Sequence, residues 1–259
     1  MRARNILAVM WNDLKILRRN QYRLIDILYF PIITALIWGL YATYTKTFAL
    51  EAGLVVLISN LYWSYSLLCQ QQSNYLVMED LWSNSLRQVL VAGITEFEYL
   101  IAKLATTTIG ATAVGTALLL IAQHFGAPLF ANLHVTLLLA LAAFLGSMAL
   151  GIIVTGIVIA AGKEYQFLAW STLELFVFFS APFYPADLLP SFIRWISDVM
   201  PFTSLFEGAR LLATGGSVPP ALIGAALIAS GAYFILAWPF YAWCFKRARR
   251  SGQLARIAT

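Results

Sequence analysis

Few residues of this chain belong to the types that carry out chemistry, and their spacing matches no catalytic motif. The Gly162-Lys163 pair is followed by Glu164 rather than Ser or Thr, so the sequence has no phosphate-binding loop of the usual kind. His124 and His134 have no acidic or thiol side chain near them that would complete a metal site. Neither HExxH nor GxSxG occurs. We therefore predict no catalytic residue, no metal site and no cofactor bound by this chain.

Glu174 is the best single candidate for a functional carboxylate, because it lies within the apolar stretch 167–184. Ionisable side chains inside a membrane are energetically costly and are usually functional. A hydrogen bond to a neighbouring Ser, Thr or Tyr would instead give Glu174 a structural role, and the sequence leaves both roles open. A membrane enzyme needs a second catalytic group, and none is evident beside Glu174.

The composition places these residues in a membrane protein. Of the 259 residues, 61% are hydrophobic and 11% are charged, whereas roughly 25% are charged in a soluble domain. One soluble core cannot bury so large an apolar fraction, so the composition predicts a protein that crosses the membrane several times. Cys69 and Cys244 form no disulfide framework, and we expect both to be reduced thiols.

Six apolar stretches are long enough to cross a bilayer, for which about 20 residues are needed. They are residues 24–45, 49–70, 99–123, 133–161, 167–184 and 221–245. The fifth of them is just long enough. The sequence therefore predicts an all-α membrane protein in a single domain, residues 1–259, with six transmembrane helices.

Lysine and arginine are distributed unevenly between the two sides of these spans. With this topology, 14 of the 17 basic residues lie on one side, which the positive-inside rule assigns to the cytoplasm. They are Arg2, Arg4, Lys15, Arg18, Arg19, Arg23, Arg87, Lys103, Lys163, Lys246, Arg247, Arg249, Arg250 and Arg256. Both termini, including the basic tail 246–259, are therefore predicted to be cytoplasmic. The net charge of +5 reflects topology and contact with anionic membrane lipids rather than nucleic acid.

Residues 1–23 are predicted to form an amphipathic helix that lies in the cytoplasmic interface of the membrane. Its apolar residues recur at helical spacing: Leu7, Met10, Trp11, Leu14 and Leu17. Its polar residues occupy the remaining faces: Asn12, Asp13, Lys15, Arg18 and Arg19. Two roles stay open for it, an anchor that fixes orientation and an elbow that positions the first span.

The loop between the second and third spans, residues 71–98, is predicted to contain a short cytoplasmic helix over residues 79–91. The acidic Glu79 and Asp80 precede Arg87, which is the order that helix ends prefer. Helix-boundary residues follow it: Gly93, then Thr95 and Glu98 with the spacing of a capping box. Such a helix, joined rigidly to two spans, would transmit force from a cytoplasmic partner. A purely structural loop is the alternative.

The stretch FFSAPFYPADLLPSFIRW, residues 178–195, begins as an apolar run and is then interrupted by Pro182, Pro185 and Pro190. Each proline removes a backbone donor and disrupts a helix interior. Most of the residues between the prolines are still apolar or aromatic, which is unusual for a solvent loop. The stretch is therefore predicted to bend near the membrane surface, and an amphipathic external loop would have this composition.

Two of these segments resemble a known family. EDLWSNSLRQVLVAGITEFEYLIAKL, residues 79–104, resembles the coupling-helix segment of type-2 ABC exporter permeases. FFSAPFYPADLLPSFIRWISDVMPFTSLFEGARLL, residues 178–212, resembles that family's most recognisable stretch, with Ser180-Ala181 where Ser-Gly is usual. The resemblance implies the permease subunit of an ATP-driven exporter in a bacterial inner membrane. It also implies two permease copies, most simply a homodimer, and two copies of a separate ABC ATPase subunit that binds ATP and Mg.

The resemblance further implies roles for individual residues. Residues that would face the ATPase are Glu79, Asp80, Trp82 and Arg87. Residues 185–216 would form a re-entrant helical hairpin between the fifth and sixth spans that closes the outer side. Gate residues of this region would be Pro182, Pro185, Asp187, Pro190, Arg194, Pro201, Glu207 and Arg210.

Substrate preference is indicated only by aromatic residues in the first two spans and by Glu174. The candidates for lining the pathway are Tyr29, Trp38, Tyr41, Trp63, Tyr65 and Glu174. They suit an amphipathic, lipid-linked or glycan-type substrate. A secondary transporter or channel is the alternative function, but inverted repeats typical of such proteins are not visible between the first three and last three spans.

Overall fold

A computed structural model describes residues 2–19, 21–45 and 49–252. Within these ranges the chain forms helices and no strand, as predicted. The helices are α1 (Ala3–Arg19), α2 (Gln21–Thr45), α3 (Leu50–Trp82), α4 (Ser85–Val91), α5 (Glu96–His124), α6 (Leu133–Ala161), α7 (Leu168–Phe179), α8 (Ser191–Val199), α9 (Thr203–Ala213) and α10 (Pro220–Arg250). Short 3-10 helices cover Lys163–Phe167 and Ala186–Leu188.

Five of the described helices are long and apolar enough to cross a membrane: α2, α3, α5, α6 and α10. They confirm an integral membrane protein built from helices. The predicted fifth span, 167–184, is not among them, because α7 has only 12 residues. At 1.5 Å per residue α7 is about 18 Å long, shorter than the roughly 30 Å of bilayer hydrocarbon. It ends before Ala181, whose φ of 50° is left-handed and cannot continue a right-handed helix.

The predicted bounds of the cytoplasmic helix, 79–91, are also wrong. The helix of the second span, α3, continues to Trp82, and a separate helix, α4, begins only at Ser85. The break lies at Asn84, whose φ of 56° is left-handed. The later boundaries are confirmed. Gly93 has φ 82°, and Thr95 and Glu98 form the reciprocal bonds of a capping box at the start of α5.

Five segments lie at the same end of the bundle: α1, α4, the 163–167 turn, the start of α5 and the end of α10. The Trp82 indole nitrogen donates to the Gln166 side chain at 3.2 Å. Arg249 on α10 pairs with Glu96 on α5 at 3.0 Å. We call this the proximal end. The opposite end, where α2 and α5 finish and α6 begins, is the distal end. The segments predicted to be cytoplasmic therefore lie together.

The segment between α7 and α10 packs into the distal half of the bundle. Phe202, between α8 and α9, is fully buried and lies against Gly146 in the middle of α6, where an added Cβ would be 2.9 Å from the Phe202 ring. Further along α9, Gly208 lies against Leu139, closer to the distal start of α6. The chain therefore reaches the middle of the bundle at Phe202 and returns along α9 towards the distal end.

Candidate coupling and gate sites

The start of α5 is the point on which α1 and α10 dock. The Glu98 carboxylate accepts hydrogen bonds from the backbone nitrogen of Arg2 and from the Asn5 side chain at 3.0 Å, as well as from the Thr95 backbone nitrogen. On the other side of α5, the Tyr241 hydroxyl donates to the Glu96 carbonyl at 3.3 Å. These contacts fix the first turn of α5 between the N-terminal helix and the C-terminal helix.

Lys103 lies one turn further into α5 and is almost fully buried between two carboxylates. Its Nζ is 2.7 Å from Asp13 Oδ1 on α1 and 2.6 Å from Asp80 Oδ2 on α3. Both aspartates are also buried. Three helices that are distant in sequence thus meet at one ammonium group.

Hydroxyl groups donate further hydrogen bonds to the two carboxylates. Asp80 accepts from the Tyr99 hydroxyl and from the Ser85 hydroxyl, each at 2.8 Å. Asp13 accepts from the Thr106 hydroxyl at 3.4 Å. Such donors offset part of the cost of burying charge. Burial raises the pKa of Asp13, and the adjacent Lys103 pulls the pKa in the opposite direction.

This cluster corrects two predictions. Asp13 was placed on the polar face of α1, and Asp80 was expected to face the partner, but both point into the protein. The reason in each case is Lys103, which needs anionic partners in a buried position. A signal was present in the sequence: Lys103 is the only lysine or arginine within the six predicted spans. A lone intramembrane cation predicts a buried acidic partner.

The other predicted partner-facing residues lie at the surface of the proximal end or close to it. Trp82 is half-exposed and packs edge-on against Tyr75, with ring centroids 5.7 Å apart. Arg87 on α4 is exposed, and Glu79 is half-buried. Val91, at the end of α4, is 81% exposed. Together Trp82 and α4 present an apolar and basic surface, which we call the α4 surface.

At the distal side, Arg210 connects α9 to the bend after α7. Its Nη1 donates to the Ala181 carbonyl at 2.7 Å. Ala181 is fully buried and holds the left-handed φ noted above, a conformation that costs a non-glycine residue roughly 1–2 kcal/mol. The hydrogen bond to Arg210 therefore holds a strained bend in place, and the usual Ser-Gly of this motif would reach the same bend with less strain.

The remaining gate residues lie in varied environments. Asp187 and Arg194 form an exposed ion pair. The Pro201 carbonyl accepts from the Ser230 hydroxyl on α10 at 3.2 Å. Pro182 is buried and Glu207 is exposed. Pro185 and Pro190 flank the 186–188 turn and have extended ψ values of 139° and 141°. A continuous helix therefore cannot run through either residue.

A family model described as an ABC-2 type transporter matches residues 4–214, which run from the second residue of α1 through α9 and include Asp13, Asp80, Lys103 and Arg210. The chain belongs to the ABC-2 type transporter family. The match confirms the resemblance seen in the two motifs, and the protein is a membrane component of a transporter, an ABC permease. A search of the curated proteins finds no match.

The candidate lining residues of the permease do not share one cavity. Tyr29 and Tyr41 on α2 and Glu174 on α7 are exposed at the surface of the bundle. Trp38 is half-buried and packs edge-on against Tyr41, with centroids 5.7 Å apart. Trp63 packs against Phe183 at 5.7 Å. Tyr65 lines a separate cavity of about 370 Å³ between α3, α5 and α6.

A buried polar seam on α3 was missed by the sequence analysis. Ser59, Ser66, Gln70 and Ser73 are fully buried and lie on one face of the helix. The Gln70 amide donates to the Ala169 carbonyl on α7 at 3.1 Å. The three serine hydroxyls of this seam have no hydrogen-bond partner within the described part of the permease. The sequence did contain a signal for this seam. The four residues are spaced by seven, four and three positions, which places them on one face of a helix.

Proposed function

We propose that this permease forms the membrane pathway of an ATP-driven exporter, while a separate ABC ATPase subunit binds ATP and Mg and hydrolyses the nucleotide. Membership of the family implies such a partner. The observation that supports the docking position is the α4 surface, which is exposed at the proximal end beside the basic segments. Aromatic residues and arginine are enriched at the cores of protein interfaces, and this surface presents the half-exposed Trp82 and the exposed Arg87.

The position of α4 suits it to transmit movement. It follows α3 after two residues and leads through Gly93 into the capped start of α5. Its first residue, Ser85, donates to Asp80 in the last turn of α3. A partner that displaces α4 would therefore displace the ends of two spans, since rigid helices carry such shifts.

The docking proposal predicts that Trp82→Ala and Arg87→Glu each weaken the association of the ATPase about 30-fold. Buried tryptophans and arginines at interfaces typically contribute 2 kcal/mol or more, which corresponds to that factor. The measurement is the Kd between purified permease and the nucleotide-hydrolysing protein that co-purifies with the wild type. Arg250→Glu, which reverses an exposed charge at the end of α10, is the control and should bind normally. Wild-type affinity in both α4-surface variants would contradict this docking site.

We infer that residues 162–219 provide a sixth crossing that no single helix accounts for. α6 ends at the proximal end and α10 begins at the distal end, so the chain between them must traverse the bundle. The contacts of Phe202 and Gly208 support a segment that dips to the middle of the bundle and returns, as in a re-entrant hairpin. Irregular backbone at this depth is tolerated because protein covers it.

We infer that the proximal end faces the cytoplasm of a bacterial inner membrane, since the basic residues cluster there. The orientation predicts that Ala131→Cys, at an exposed distal position, reacts with an impermeant maleimide added outside intact cells, whereas Glu164→Cys does not. Both native cysteines are buried and give a low background. The opposite labelling pattern would reverse the orientation and remove the α4 surface from the cytoplasm.

We further propose that two copies of the permease assemble and that the substrate path lies between them. Tyr29, Tyr41 and Glu174 support this arrangement because they are exposed on a single subunit. A path lined by aromatic rings and a carboxylate suits an amphipathic, lipid-linked or glycan-type substrate. Membrane lipids would cover the remaining apolar surface of the bundle.

A further inference from the structure

We propose that Asp13, Lys103 and Asp80 form an ionic latch that carries the position of α4 into the N-terminal helix α1. Lys103 is thereby a positioning residue for transport. This inference rests on the proposed function, because it assigns a consequence to the movement of α4 by an ATPase.

The latch is a continuous chain of short polar contacts between two helices that are far apart in sequence. The Ser85 hydroxyl, at the first residue of α4, donates to Asp80 at 2.8 Å. Asp80 is 2.6 Å from Lys103 Nζ, which is 2.7 Å from Asp13 on α1. Each link joins a different pair of helices or helix ends. A shift of Ser85 therefore changes the surroundings of Asp13 through only two intermediate side chains.

A purely structural contact at this position would not need charges. Replacing buried ion pairs by packed apolar residues is often neutral or stabilising, so an ionic cluster is weak evidence for a role in stability alone. Here one ammonium group, which has three donors, pairs with two carboxylates at once and so joins three helices through a single side chain. Charges in direct contact interact strongly at short range, so a displacement of one of them changes the energy of the other two.

The opposite face of α1 shows what the latch would move. Val9, Asp13 and Leu17 face the protein, whereas Leu7 and Trp11 are more than half exposed. An amphipathic helix with such an apolar face lies in the membrane interface. A displacement of Asp13 would therefore shift a lipid-facing surface that leads directly into α2, the first span.

Paired spin labels test the latch in the permease–ATPase complex. Arg18→Cys on α1 and Gln88→Cys on α4 are exposed positions, whereas the native cysteines are buried. In the otherwise wild-type complex, a non-hydrolysable ATP analogue with Mg is expected to change the label separation measured by double electron–electron resonance. Asp13→Asn leaves Lys103 and Asp80 as a balanced pair, so the protein should fold and bind the ATPase. We expect this variant to lose at least half of the nucleotide-induced shift.

Three further variants separate the latch from a structural role. Lys103→Arg keeps the charge and should retain most of the shift. Ser85→Ala removes the link to α4 without touching the ion pairs and should reduce the shift as Asp13→Asn does. Arg249→Met breaks the half-exposed pair with Glu96 at the same end and should leave the shift unchanged.

The outcomes distinguish the latch from the proposed function. A full shift in both Asp13→Asn and Ser85→Ala would overturn the latch. A wild-type complex that binds ATPase and nucleotide without any change in label separation would also overturn the latch. A wild-type permease that binds no ATPase at all would overturn the proposed function itself.

Discussion

Replacing Lys103 by methionine is expected to destabilise the permease by about 3–5 kcal/mol, because it leaves two carboxylates buried without their shared cation. Asp13 and Asp80 would then repel one another in a site that already disfavours charge. Thermal unfolding in detergent, followed by light scattering or intrinsic fluorescence, should show a drop in Tm on the order of 10 °C. Lys103→Arg should lose much less, since the guanidinium supplies the same charge.

The pH dependence of this variant gives an independent check of the cause. Burial raises the pKa of Asp13, so protonation favours the folded state and the associated stability is lost as pH rises through the folded-state pKa. Without Lys103 the pKa should rise further, because the opposing attraction is gone. We therefore expect Lys103→Met to become more stable when the pH falls from 8 to about 5.5, whereas the wild type should not gain to the same extent.

A second control removes the carboxylates as well. The triple variant Asp13→Asn, Asp80→Asn, Lys103→Met has no buried charge in the cluster, so it should recover much of the lost stability. A triple variant as unstable as Lys103→Met would mean that packing of the lysine side chain, and not charge, accounts for the effect. An unchanged Tm in Lys103→Met would show that the cluster contributes little to the fold.

The cluster also shows where sequence periodicity stops being informative. The spacing of α1 predicted a helix correctly but did not show which side packs against the rest of the protein. Leu7 and Trp11 are exposed, whereas Asp13 is buried. In an interfacial helix the apolar stripe is attracted by lipid as well as by the protein core, so periodicity cannot say which face packs inward. Only the position of Lys103 on α5 decides that Asp13 turns inward.

Local signals, by contrast, located several boundaries well. The capping box of Thr95 and Glu98 and the turn at Gly93 were visible because they depend only on residues a few positions apart. The predicted fourth span, 133–161, coincides with α6. The extension of α3 to Trp82 was missed because helix length outside the bilayer leaves no hydropathy signal. The short α7 was missed because composition cannot show that Ala181 adopts a left-handed conformation.

Replacing Arg210 by methionine is expected to open the distal side of the permease, since the Ala181 carbonyl is buried and would lose its donor. An unpaired buried polar group costs about 1–3 kcal/mol, and this cost adds to the strain already held at Ala181. The bend between α7 and the 186–188 turn should then loosen. Ser180 is fully buried beside it, so Ser180→Cys serves as a reporter that should be unreactive in the parent protein and reactive towards an impermeant maleimide in the Arg210→Met background.

Arg194 provides the matched comparison, because it lies in the same segment but pairs with Asp187 at an exposed position. Exposed ion pairs contribute only about 0–1 kcal/mol, so Arg194→Met should leave Ser180→Cys protected. Ala181→Gly should relieve the left-handed strain and partly restore protection when combined with Arg210→Met. If Ser180→Cys stays unreactive in the Arg210→Met background, the guanidinium does not hold the bend. Closure would then depend on the packing of Phe202 against Gly146, which the substitution leaves intact.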